Sequence, residues 1–271
     1  MSSIQEKIEF AKKSNALMFT RDAALLEKDD LLQIGSLINL QKLHINRGQL
    51  KSIPEEICDL TNLHILDLTN NHLEILPEGI DSFINLQQLW LAINQLKNIP
   101  ERISCLTNLE RLDFSYNELE SIPEGISCLT NLRELYLGNN RLTHIPEEIG
   151  CLTNLRYICL IRNELETLPE RICDLTNLKH LYLGDNQLKS IPERIYDLIN
   201  LEELHVPNNQ LKSIPEGICC LTNLIYLNLE GNTELVYPPY SLIEGKSGKE
   251  TATIVKEYCG EHKNPMRKIS V

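Results

Sequence analysis

Leucine recurs along this chain on a fixed beat. Leu40, Leu63, Leu86, Leu109, Leu132, Leu155, Leu178, Leu201 and Leu224 stand 23 residues apart, with no insertion until the ninth copy. Within each copy, apolar residues at positions one, four and six alternate with residues of mixed character at three and five, which is the period-two pattern of a strand with one buried face. Proline at position fifteen (Pro54, Pro77, Pro100, Pro123, Pro146, Pro169, Pro192 and Pro215) ends the extended run and suits the first turn of a short helix. Apolar residues at positions eighteen and twenty-one then return that segment to the core. A unit this small cannot bury its apolar face alone, so the copies must stack into a one-dimensional solenoid of parallel strands.

The shared pattern is L-x-x-L-x-L-x-x-N-x-L-x-x-I-P-E-x-I-x-x-L-T-N, nearly complete in LRELYLGNNRLTHIPEEIGCLTN from Leu132 to Asn154. This pattern resembles the leucine-rich repeat family, in its 23-residue class with an Ile-Pro-Glu segment, over residues 40 to about 240. The resemblance implies an α/β fold: a solenoid with a curved parallel sheet on the inner face, short helical or 3-10 turns on the outer face, and helical caps. It also implies a buried ladder at position nine, where Asn71, Asn94, Asn117, Asn140, Asn163, Asn186, Asn209 and Asn232 bond backbone groups between turns, with Gly48 as the exception. Asn139, next to Asn140, reads as solvent-facing and replaceable at little cost. A second asparagine column, from Asn39 and Asn62 to Asn223, closes each copy and is expected to bond the loop entering the strand.

A bare solenoid end exposes core and an unpaired strand edge, so caps are expected at both ends. Residues 1–39 read as a helical cap and a degenerate repeat, with a capping box in Ser3-Ile4-Gln5-Glu6 and with Ile34, Leu37 and Asn39 in register with the later copies. Residues 40–239 hold nine copies, the last degenerate. Residues 240–271 read as a C-terminal cap helix, with Ile254, Val255 and Tyr258 at helical spacing, and a loose tail from Gly260.

The 271 residues are 42% hydrophobic and 24% charged, a soluble globular composition. A net charge of -12, from 38 acidic and 26 basic residues, argues against nucleic acid and against an anionic membrane surface as partners. No apolar run approaches a membrane span and the N-terminus lacks a secretory signal, so the chain reads as cytoplasmic, with delivery into a host cell without a conventional signal as the alternative. Nine cysteines, an odd count in a long chain, read as reduced thiols. Cys58, Cys105, Cys128, Cys151, Cys173 and Cys219 cluster at positions nineteen and twenty and are expected to pack the helical side as small buried thiols. No zinc-type spacing, phosphate loop or cofactor motif is found, so no metal and no cofactor is expected.

Candidate chemistry lies on the residues that point off the strands, at positions three, five, seven and eight. The single tryptophan and five of the nine tyrosines fall there. Folding does not require aromatics at such positions, whereas binding hot spots are rich in Trp, Tyr and Arg, so Trp90, Ile93, Tyr116, Tyr136, Tyr157, Ile161, Arg162 and Tyr182 are the expected protein-binding residues. Ala92, Ser115, Gly138 and Gly184 beside them are read as leaving room for a partner. Cross-strand stacking that merely supports the sheet is the competing account. The glutamate column at position sixteen, from Glu55 to Glu216, is read as a solvated outer face.

Cys159, His180 and Glu203 on successive strands imitate nucleophile, base and orienter. Their diagonal placement on an open sheet disfavours catalysis, and no catalytic residue is assigned. The expected function is therefore a non-enzymatic, monomeric scaffold or regulator that binds a protein through its inner face. Cytoplasmic members with this repeat act beside Ras-type small GTPases, and bacterial pathogens deliver similar proteins into host cells; the resemblance leaves both open. Bacterial ubiquitin ligases of this type use shorter repeats followed by a large catalytic domain, for which the stretch after Pro239 reads as too short.

Overall fold

A computed structural model describes residues 3–20 and 23–261. They fall into two compact units, residues 1–142 and 143–271. The first holds helix α1 (Ile4–Ser14), strand β1 (Ala16–Phe19), helix α2 (Lys28–Gly35), and strands β2 (Lys42–Ile45), β3 (Ile65–Asp67), β4 (Gln88–Trp90), β5 (Arg111–Asp113) and β6 (Glu134–Tyr136). The second holds β7 (Tyr157–Cys159), β8 (His180–Tyr182), β9 (Glu203–His205), β10 (Tyr226–Asn228) and helix α3 (Gly248–Glu261). In each unit the strands pair in parallel and in sequence order, with partners such as Leu66 and Leu89, or Leu181 and Leu204, one 23-residue copy apart.

Each copy follows its pattern. Leucines at positions one, four and six are buried almost completely, among them Leu86, Leu89 and Leu91, while the residues between them face away from the core. The outer segments are 3-10 turns of five residues, such as Glu101–Cys105, not α-helices. Proline stands just before each turn in an extended conformation, so it is the N-cap and the glutamate after it begins the turn. A proline cap offers no side-chain acceptor. In places the glutamate of the previous copy supplies one: Glu55 accepts the Glu78 and Gly79 N–H groups at 2.9 and 3.1 Å, and Glu147 accepts that of Arg171 at 2.9 Å. The column expected to be merely solvated therefore also ties copies together.

The asparagine ladder is present. Asn140 Nδ2 donates to the carbonyls of Phe114 and Leu137, both at 3.0 Å, and its Oδ1 accepts the Leu119 N–H at 3.0 Å. Gly48 breaks the column for a steric reason as well, since a Cβ there would lie 2.5 Å from Asn71 Oδ1. The second column behaves alike: Asn62, Asn85, Asn108 and Asn131 each donate to a carbonyl in the loop of the preceding copy.

The capping box at Ser3 and Glu6 forms, and α1 buries Ile8 and Ala11 beside β1. The degenerate repeat is only partly in register. Leu17 pairs with Leu43 and Phe19 with Ile45, a spacing of 26 residues, because α2 replaces the short turn and takes up three more. At the other end α3 buries Thr251, Ala252 and Val255, and Lys256 Nζ donates to the Leu224 carbonyl at 2.7 Å. The expected tail beyond residue 261 lies outside the described residues.

Candidate protein-binding face

In the first unit, register sets Asp113 between Trp90 and Tyr136. The two aromatic rings tilt at 32° with centroids 6.3 Å apart, and both are half-buried. Asp113 accepts the Ser115 N–H at 2.8 Å, and burial pushes its carboxyl above the ordinary range. Asp67, in the same column, goes the other way. Burial pushes it up, but His44 at 3.3 Å, the Thr69 N–H at 3.0 Å and Asn46 at 2.8 Å together hold it below the ordinary value. The difference follows from neighbours: three residues, His44, Thr69 and Asn46, bond the Asp67 carboxylate, whereas Ser115 alone bonds that of Asp113 and burial prevails there.

Position eight carries a feature that the hydrophobic pattern does not reveal. Arg47, Asn70, Ile93, Tyr116, Asn139, Arg162, Asp185 and Asn208 all have φ between 53° and 59°, and Gly231 takes the same place at 75°. Asparagine, aspartate and glycine adopt this left-handed conformation readily; a β-branched residue does so at a cost. Ile93 and Tyr116 nevertheless hold it on adjacent copies, and they are 46% and 53% exposed. The richness of this column in Asn, Asp and Gly was the signal available in the sequence.

Position seven is tighter than expected. Ala92 is 8% exposed, and a Cβ on Gly184 would lie 2.9 Å from the Pro207 ring. Gly184 is crowded by Pro207 of the next copy and Ala92 is buried, so these two do not leave the room for a partner that was expected of them.

The second unit carries a longer aromatic array. The Tyr157 and Tyr182 centroids are 5.2 Å apart, Tyr182 and His205 4.3 Å, and His205 and Tyr226 4.6 Å. Glu203 Oε2 accepts the Tyr182 hydroxyl at 2.6 Å and faces His205 Nε2 at 3.2 Å. The Tyr182 bond outweighs burial and holds the Glu203 carboxyl below its ordinary value; burial holds His205 down and pushes Tyr182 up. Ile161 is half-buried, and exposed Arg162 lies 3.5 Å from Asp185. His180, Glu203, His205 and Tyr226 join Tyr157 and Tyr182 in one array although the binding set expected from sequence omitted them. Their positions three and five were the available signal.

Glu203 serves Tyr182 and His205, and His180 Nδ1 stands 3.7 Å away. Among the described residues no group of three or more His, Cys, Asp or Glu is placed to hold a metal ion. The cysteine column divides, contrary to expectation. Cys58 and Cys173 are buried, and burial pushes both thiols up to about 12, whereas Cys105, Cys128 and Cys220 are exposed and Cys151 and Cys219 half-exposed. Residues at position twenty point away from the core, because the apolar anchors at eighteen and twenty-one turn inward on either side.

Sequence profiles of three repeat groups match: a leucine-rich repeat region over residues 17–138, a leucine rich repeat over 130–188, and a two-copy form over 176–216. The chain belongs to the leucine-rich repeat proteins. Among solved structures, this leucine-rich repeat chain is similar to a leucine-rich repeat protein of Leptospira interrogans, with 33% identity, coverage of 81% of this chain and 64% of that one, and a TM-score of 0.63. It thus spans less than two thirds of the Leptospira protein. Internalin C2 of Listeria monocytogenes gives 26% identity, 72% and 83% coverage and a TM-score of 0.65. The ectodomain of the receptor kinase GASSHO1/SCHENGEN3 of Arabidopsis thaliana, solved in complex with CASPARIAN STRIP INTEGRITY FACTOR 2, gives 28% identity, 76% and 30% coverage and a TM-score of 0.66. Comparison with curated proteins finds no match. Among the described residues no helix is long and apolar enough to cross a membrane.

Proposed function

We propose that this leucine-rich repeat chain is a non-enzymatic binding protein that holds a protein partner on the strand face, through Trp90, Ile93, Tyr116 and Tyr136 in the first unit and Tyr157, Ile161, Arg162 and Tyr182 in the second. The observation that carries this reading is the pair Ile93 and Tyr116, bulky and exposed where the backbone favours asparagine or glycine. A strained conformation kept at an exposed position points to a use outside the fold. Stacking within the sheet accounts for part of the aromatic content, above all around His205, but leaves Ile93 and Tyr116 unexplained. The Arabidopsis ectodomain, solved with a bound factor, supports a partner for this fold.

Similarity to repeat proteins of Leptospira and Listeria supports a bacterial repeat protein, and for its partner we propose a host protein in preference to a component of a Ras-type GTPase pathway. Affinity capture from host lysate, followed by calorimetry with the purified partner, tests both parts. Replacing Trp90 and Tyr136 by alanine is expected to weaken binding by at least about 2 kcal/mol without loss of fold. Unchanged binding in that variant sinks the assignment of the face.

A further inference from the structure

Glu203 is the fixed point of the second unit's strand face. Its Oε2 is held by the Tyr182 hydroxyl at 2.6 Å and by His205 at 3.2 Å, so the carboxylate cannot swing freely. Among the described residues no hydrogen bond reaches its Oε1, and the side chain keeps 29% of its surface exposed. Register sets Glu203 between His180 on β8 and Tyr226 on β10, so an imidazole and a phenol ring flank it along the column. Basic residues nearby are engaged elsewhere: Lys179 pairs with Glu202 at 2.6 Å and Arg162 with Asp185 at 3.5 Å.

A carboxylate fixed at one oxygen and open at the other, between ring walls, suits a cation on an apolar stem. The ammonium or guanidinium takes the free oxygen, and the methylenes lie along the rings. Charge complementarity agrees, because the chain carries a net charge of -12 and draws basic partners toward it. We infer that the Glu203 patch of the second unit receives a lysine or arginine side chain of a protein partner, between His180 and Tyr226. This rests on the strand face being the binding surface, and it adds the chemistry of the group bound there.

The test uses the full chain and three short fluorescein-labelled peptides in which one lysine, arginine or norleucine stands between leucines. Glu203→Gln keeps an oxygen for the Tyr182 hydroxyl and removes the charge. It is expected to weaken the lysine and arginine peptides by about tenfold, the size of one lost charge-assisted hydrogen bond, and to leave the norleucine peptide unchanged. Glu124→Gln on the outer face is expected to change none of them. Equal binding of lysine and norleucine peptides, equal binding by wild type and Glu203→Gln, or no binding to wild type overturns the inference. If Glu203→Gln does not fold, ring-proton NMR on wild type decides: shifts at His180 and His205 on adding the lysine peptide support it, and shifts confined to other residues overturn it. With a captured partner, loss of binding in the Trp90/Tyr136 variant but not in Glu203→Gln leaves the binding face standing and removes only the basic-residue site.

Discussion

Trp90 and Tyr136 tilt toward each other with ring centroids 6.3 Å apart, across Asp113 on the strand between them. Burial keeps that carboxyl protonated to higher pH than the ordinary 3.8. A carboxyl whose folded value is raised binds more protons folded than unfolded. Its contribution to stability is present below the unfolded value and is lost as pH rises through the folded one. At neutral pH Asp113 therefore costs stability. Asp113→Asn, which keeps an oxygen for the Ser115 N–H, is expected to melt higher than wild type near neutral pH and equally below about pH 3.8, on the same linkage. Carboxyl-carbon NMR adds a direct check: in the Trp90/Tyr136 double-alanine variant the Asp113 titration should move back toward 3.8.

Ile93→Asn and Tyr116→Asn are expected to raise unfolding free energy by about 0.5 to 1 kcal/mol each, since asparagine relieves the left-handed strain, while weakening partner binding. The opposite change, Asn139→Ile, should destabilise by about 1 kcal/mol. Asn139→Ala also costs, contrary to the expectation that this residue is freely replaceable, because φ there is 57°. Denaturant melts that rank these variants otherwise remove the strain argument.

Asn140→Ala is expected to cost about 1 to 3 kcal/mol, because the Leu119 N–H and the carbonyls of Phe114 and Leu137 lose a buried partner at once. A denaturant midpoint equal to wild type's speaks against the ladder as a source of stability.

Thiol labelling should separate the cysteines by position. Under native conditions iodoacetamide is expected to modify Cys105, Cys128 and Cys220 first, and Cys58 and Cys173 only after unfolding, since burial shields those two and pushes their thiols up to about 12. Mass spectrometry of timed digests reads the order.

The repeat, the inward leucines and both asparagine columns are legible in the sequence because each follows from a fixed spacing and a single residue's chemistry. Position eight is legible only in part. Its run of Asn70, Asn139, Asp185 and Asn208 marks a left-handed backbone, but Ile93 and Tyr116 hide that marking: the pattern reads them as binding residues without showing the backbone they hold. Position seven misleads for a similar reason: Gly184 reads as open space, while the Pro207 ring of the next copy fills it.

The sequence by itself determined the solenoid, since a 23-residue unit with three inward leucines has no way to bury them except against its own copies. It also determined which residues leave the strand face, because side chains alternate with period two. Tertiary structure alone decided what those residues do to one another. Trp90 reaches Tyr136 across Asp113, Tyr182 reaches Glu203 on the next strand, and Glu55 reaches the turn that begins at Glu78. Each contact joins residues more than twenty positions apart, brought together by stacking, and its distance depends on side-chain reach and on neighbours that no local pattern specifies.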